Sequence, residues 1–92
     1  MTRALATDPQ VIAKGVTVNA VAPGFIVTEM TDATARRLKM EPEELQRLNA
    51  ESTPVRRVGQ PEDIAATASF LLSEEAGFVS GQVIYVAGGP RD

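Results

Sequence analysis

Acid–base chemistry at neutral pH needs a titratable side chain tuned towards that pH and held near the reacting atom. In this chain the groups available for it are carboxylates, lysines and a single tyrosine, Tyr85. Tyr85 has no lysine one turn away to lower its pKa. It lies inside an apolar, β-prone run and is read as an aromatic packed on a sheet face. The acidic pairs Glu43-Glu44, Glu62-Asp63 and Glu74-Glu75 are adjacent in sequence, and adjacent helical residues do not face one another. All three stand where helices should begin or end, so solvation of helix termini is their expected role. The chain has no histidine, which excludes a Ser-His-Asp triad and imidazole metal ligation. It has no cysteine, which excludes a disulfide framework and a thiolate zinc site. Nor does any carboxylate spacing suggest a magnesium site. No catalytic residue and no metal ligand is assigned.

Binding is a different matter. Pro23-Gly24 follows a β-branched run, at the end of a strand where open α/β sheets hold their ligands. A glycine there admits close backbone approach, with a plain Pro-Gly turn as the alternative. Gly88-Gly89 also follows a strand, but no helix comes after it and the GxGxxG pattern is absent. It is read as a tight turn and not as a phosphate cradle.

The elements that must position these residues can be read from the pattern. Residues 1–7 have the composition of a helix end, which Asp8-Pro9 interrupts; Val11 to Ala13 add one short turn. Residues 16–21 alternate valine with Thr17 and Asn19, the clearest strand signal in the chain. Residues 25–53 form a long charged excursion with the character of a lid. Within it Asp32 is expected to cap a helix running to Lys39, and Glu41-Pro42-Glu43-Glu44 to open another ending near Glu51, with Leu45 and Leu48 on one face. A helix over 61–72 is signalled by Pro61 at its first position, by Glu62 and Asp63 at its positive end, and by the stripe Ile64, Ala65, Ala68, Leu71, Leu72. Gly77 marks a stop beyond it. A second strand spans 82–87. Two strands separated by a helix imply a parallel pair with a right-handed crossover, and thus an α/β architecture.

Composition narrows the partners. Nine basic and twelve acidic residues give a net charge of −3, which argues against non-specific nucleic-acid binding. No apolar run approaches the roughly 20 residues needed to span a bilayer. The first six residues have no signal-peptide core, so a cytoplasmic, membrane-free protein is expected.

Three blocks in order carry a resemblance. Gly15-Val16-Thr17-Val18-Asn19-Ala20-Val21-Ala22-Pro23-Gly24-Phe25-Ile26-Val27-Thr28 resembles the sixth-strand motif of short-chain dehydrogenases/reductases. Pro54-Val55-Arg56-Arg57-Val58-Gly59-Gln60-Pro61-Glu62-Asp63-Ile64-Ala65 is similar to their approach to the last large helix. Phe70-Leu71-Leu72-Ser73 and Gly81-Gln82-Val83-Ile84-Tyr85-Val86-Ala87-Gly88-Gly89 resemble their ending, in the 3-oxoacyl-carrier-protein-reductase-like branch. The resemblance implies that residues 1–92 form the C-terminal third of a Rossmann-type, doubly wound parallel sheet domain, with two parallel strands and helices. It implies an NAD(P)-dependent oxidoreductase, acting on a small-molecule carbonyl or alcohol, whose catalytic residues lie upstream of this segment. It also implies a cofactor-binding role for Pro23 and Gly24 beneath the nicotinamide ring, for the Ile26 backbone at the carboxamide, and for Thr28 nearby. Residues 29–53 become the substrate lid. Two departures stand out. The connection Asp8-Pro9-Gln10-Val11 is longer than usual, and Ala87 stands where the branch often has aspartate.

Two functions fit this reading. The chain is a part of an NAD or NADP oxidoreductase that is inactive alone, or it is a non-catalytic assembly module. In either case a homo-oligomer or a complementary fragment of the same family is the expected partner.

Overall fold

The computed structural model describes residues 1–90. Helix α1 covers Thr2–Ala6 and ends at Thr7, whose hydroxyl donates to the Arg3 carbonyl at 2.9 Å. The chain restarts at once as helix α2, Pro9–Ala13. The Asp8 carboxylate accepts the Gln10 N–H at 2.8 Å, and proline occupies the first helical position, where no N–H is needed. The Asp8-Pro9 interruption is therefore a helix cap as well as a break.

Strand β1 is Ala20–Pro23 and strand β2 is Val83–Val86. They pair in parallel, with Ala20 opposite Val83 and Pro23 opposite Val86. The α/β architecture expected from the sequence is thus present. The first strand, however, starts at Ala20 and not at Val16. The reason lies in what residues 18 and 19 bond to. Val18 N–H donates to the Ser80 hydroxyl at 3.1 Å, and the Val18 carbonyl accepts from Gly81 at 2.7 Å. The Asn19 amide donates to the Val79 carbonyl at 3.0 Å and accepts the Gln82 N–H at 3.1 Å. Side chains thus replace the ladder opposite a turn in which Gly81 has φ +77°. Regular pairing begins only where both backbones are extended.

The excursion between the strands holds two helices, α3 (Glu29–Arg37) and α4 (Pro42–Glu51). The expected Asp32 cap is corrected: Thr28 is the N-cap, and Asp32 lies inside the helix. The helix stops two residues short of Lys39, which adopts a left-handed φ of 57°. Ala35, fully buried, lies in the packed pair that α3 and α4 form. Helix α5, Pro61–Leu71, packs against both strands. Gly77 follows a 3₁₀ turn, Glu74–Ala76, with an ordinary helical φ of −61°, so it closes that turn and not α5.

The sheet's two faces differ. Val21 lines a surface with Ala68 and Leu71 of α5. Val83 and Tyr85 point to the other face, beside the start of α1. Tyr85 is 78% exposed, so the expected packing of this aromatic on the sheet is not made within the chain. Among the described residues only Ala35, Thr53, Ala76 and Gly81 are buried. The radius of gyration is 16.5 Å, against about 12 Å for a compact domain of this length. Several large apolar side chains, Leu72 and Phe78 among them, stay exposed.

Candidate functional site

The C-terminal ends of β1 and β2 lie side by side, and the chain that leaves β1 is the candidate site. Gly24 N–H donates to the Val86 carbonyl at 3.0 Å, continuing the ladder by one residue. A Cβ on Gly24 would stand 2.8 Å from both Cα and Cβ of Ala87. The close approach of the chain at Ala87 thus requires a glycine here. An open cleft of about 800 Å³ beside Gly24 is lined by Phe25, Asn49, Tyr85 and Ala87. It brings Asn49, from helix α4, to the ends of both strands.

Ile26 is held by a short parallel bridge to Gly59. Gly59 N–H donates to the Phe25 carbonyl and the Gly59 carbonyl accepts the Val27 N–H, each at 2.9 Å. In a parallel bridge of this pattern the polar groups of the central residue face the opposite side. Ile26 therefore turns its own N–H and C=O away from Gly59. Gly59 has no room for a side chain, because its Cβ would collide with Ile26 Cδ1 and lie 3.2 Å from the Phe25 carbonyl.

Thr28 and Thr31 form a reciprocal cap. The Thr28 hydroxyl accepts the Thr31 N–H at 3.3 Å, and the Thr31 hydroxyl accepts the Thr28 N–H at 2.9 Å. The Thr31 hydroxyl also reaches the Ile26 carbonyl at 3.1 Å and the Thr28 carbonyl at 2.9 Å. Sequence reasoning placed Thr28 in the site and left Thr31 out. The available signal was the Thr-x-x-Thr spacing at a helix start, which matches a capping pattern with threonine in place of the usual Glu or Gln.

The segment that supplies Gly59 is itself fastened. Val55 N–H donates to the Gly88 carbonyl at 3.0 Å, and the Arg56 guanidinium donates to the Glu51 carbonyl at 2.6 Å, closing the end of α4. Arg57 forms a two-pronged ion pair with Asp63 at 2.8 and 2.9 Å. Asp63 also accepts the Gln60 N–H at 2.7 Å, at the start of α5. The Arg57 guanidinium first, and then the Gln60 N–H, hold the Asp63 carboxyl far below the usual carboxylate range. Neither member of this pair was singled out from the sequence as part of the site.

Among the described residues no group of three or more acidic side chains is placed to hold a metal ion. No helix among them is long and apolar enough to cross a membrane.

A parallel strand pair with a pinned loop at its C-terminal edge has the α/β arrangement in which open sheets hold ligands. Its family follows from comparison. Residues 1–90 match the family model described as Enoyl-(Acyl carrier protein) reductase. The chain is 45% identical over 80 residues to the 3-oxoacyl-[acyl-carrier-protein] reductase FabG of Staphylococcus aureus, covering 87% of this chain and 30% of that protein. It is 45% identical over 75 residues to the short-chain reductase NovJ of Streptomyces niveus, covering 82% of this chain and 29% of that one. The crystal structure of L-sorbose reductase from Gluconobacter frateurii, complexed with NADPH and L-sorbose, superposes with a TM-score of 0.84 at 31% identity. That match covers 96% of this chain and 35% of the reductase. The chain belongs to the short-chain dehydrogenase/reductase family and matches the C-terminal portion of its Rossmann-type fold. It spans about 30% of the length of these curated relatives.

Proposed function

We propose that this segment forms the nicotinamide-side loop and the substrate lid of an NAD(P)-dependent oxidoreductase that moves hydride between a cofactor and a carbonyl or alcohol. The observation that carries the reading is the Ile26–Gly59 bridge. It fixes Ile26 so that one N–H and one C=O are presented together, away from the supporting chain. A carboxamide needs one acceptor and one donor partner, and a single extended residue supplies both. Thr28 adds a hydroxyl whose oxygen accepts from Thr31 and whose proton is left to donate. Pro23 and Gly24 set the end of the strand below this loop. When bound, the nicotinamide ring supplies the hydride donor or acceptor. The residues of this chain bind and orient it, while α3 and α4, within residues 29–53, cover the substrate side.

The test is a chimera in which this segment replaces the matching C-terminal segment of the Gluconobacter L-sorbose reductase. The chimera is expected to bind NADPH, and Thr28→Val to weaken that binding about two- to tenfold, the worth of one hydrogen bond. A folded chimera that binds no NADPH overturns the reading.

A second reading, assembly without catalysis, is favoured by a separate observation. Leu72 is 88% exposed, Phe78 is fully exposed, and Tyr85 stands open on its sheet face. Such a surface suits a second copy of this chain or a complementary part of the same fold. Assembly of the 92-residue chain with no gain of NADPH binding, in a background where the chimera also fails to bind, would favour it.

A further inference from the structure

We infer that Thr31 is a positioning residue for the cofactor loop, acting through the Ile26 carbonyl; the inference rests on the reading of that loop as the nicotinamide contact. Ile26 is gripped from two directions. Gly59 holds its neighbours, Phe25 and Val27, on one side. On the other side Thr31, in the first turn of α3, places its hydroxyl 3.1 Å from the Ile26 carbonyl and 2.9 Å from the Thr28 carbonyl. One hydroxyl proton is shared between these two acceptors, while its oxygen accepts the Thr28 N–H at 2.9 Å. A single side chain thus ties together residues 26 and 28 and the helix that follows.

Two consequences follow from this geometry. The direction of the Ile26 carbonyl is set by a residue that itself belongs to the lid. A carbonyl has two lone pairs, so it can accept from Thr31 and still accept from a ligand amide. Movement of the first turn of α3 therefore reorients the Ile26 backbone, and the lid and the cofactor loop are coupled through one hydroxyl. An isosteric side chain without the hydroxyl would keep the shape of the turn and break the coupling.

The experiment uses the L-sorbose reductase chimera carrying Thr31→Val or Thr31→Ser, with NADPH binding measured by fluorescence titration. Thr31→Val is expected to raise the NADPH dissociation constant about three- to tenfold. Thr31→Ser, which keeps the hydroxyl, is expected to stay within about twofold of the parent chimera, and this rescue separates positioning from loss of side-chain packing. Unchanged NADPH affinity in Thr31→Val, with Thr28→Val still weakened, overturns this inference and leaves the cofactor reading standing. A folded parent chimera that binds no NADPH overturns both. Should Thr31→Val fail to fold, amide exchange of the parent chimera reads the hold of the same Thr31 hydroxyl on the loop through its bond to the Thr28 N–H. The Thr28 amide is expected to exchange well below the rate of an open amide, and free exchange there would overturn the inference.

Discussion

Gly59 and Ile26 meet in an isolated parallel bridge in which the missing side chain of one makes room for the Cδ1 of the other. This contact joins the segment before α5 to the loop after β1, and a side chain at residue 59 must displace that loop. Gly59→Ala is expected to destabilise the fold by about 1–3 kcal/mol, the usual cost of overpacking. In the L-sorbose reductase chimera it should also weaken NADPH binding. Thermal unfolding and cofactor titration of the same variant check the two effects, and an unchanged melting midpoint would show that the bridge is not as tight as it stands here.

Asn19 makes two long-range bonds, to the Val79 carbonyl and from the Gln82 N–H, and so closes the turn ahead of β2. Asn19→Ala removes the partner of the partly covered Val79 carbonyl and of the exposed Gln82 N–H. A loss of about 1–2 kcal/mol is expected, most of it from the Val79 carbonyl, whose desolvation is no longer compensated. Asn19→Asp keeps the acceptor for Gln82 but not the donor for Val79, and should fall between. Chemical denaturation of the three proteins gives the order directly.

The fold was legible where local chemistry and tertiary context agree. Pro61 with Glu62 and Asp63 announced α5, and Glu41-Pro42 announced α4, since both starts are written within a few residues. The first strand was misplaced by four residues because alternation in Val16-Thr17-Val18-Asn19 is also satisfied by side-chain bonds to a turn more than sixty residues away. That partner cannot be read from a local pattern. The Asp32 cap was misassigned for a related reason. Aspartate is a good cap in isolation, but Thr28, four residues earlier, is capped reciprocally with Thr31. In the candidate site, motif position points to Pro23, Gly24, Ile26 and Thr28. It does not point to Gly59 and Thr31, whose contacts exist only once the loop is folded against its neighbours.

The Arg57–Asp63 pair gives a pH dependence with a definite sign. Asp63 is held below its ordinary range by the Arg57 bond and the Gln60 N–H. A depressed folded-state pKa contributes stability that is fully present above the unfolded value, near 3.9, and is lost as pH falls from there through the lower folded value. The melting midpoint of the unmodified chain should therefore exceed that of Asp63→Asn at pH 7, and the gap should narrow progressively below about pH 4. Both side chains reach solvent, so added salt should reduce the gap at pH 7 as well. A gap that is constant from pH 7 to pH 2.5 would assign the difference to something other than ionisation.

Residues 29–53 are expected to exchange their amides faster than β1. Glu29, Glu43, Glu44 and Arg47 are exposed along these helices, and α3 and α4 pack chiefly against each other and not against the sheet. Segments with few buried apolar contacts open at low free energy. The exchange map should show its slowest amides at Ala20 and Gly24, which donate into the β2 backbone. Slower exchange across α3 and α4 than at these two positions would remove support for the lid.

The last prediction concerns association. In the two-stranded sheet formed by Ala20–Pro23 and Val83–Val86, each strand has only one neighbour among the described residues, so each presents an unpaired edge. Open edges are templates for further pairing, and a two-stranded unit is marginal without added packing. The second strand, Val83-Ile84-Tyr85-Val86, is uncharged, β-prone and free of proline, the composition of self-pairing segments. Tyr85 at 78% exposure leaves apolar surface on this strand, and Leu72 at 88% leaves more beside the first strand and α5. The 92-residue chain is therefore expected to sediment with a mass that rises with concentration. Tyr85→Lys should shift the distribution towards monomer, because a charge on that face opposes stacking of a second sheet without touching the β1–β2 bonds. A monomer mass independent of concentration, together with a cooperative thermal transition, would show that the half-covered sheet is stable by itself.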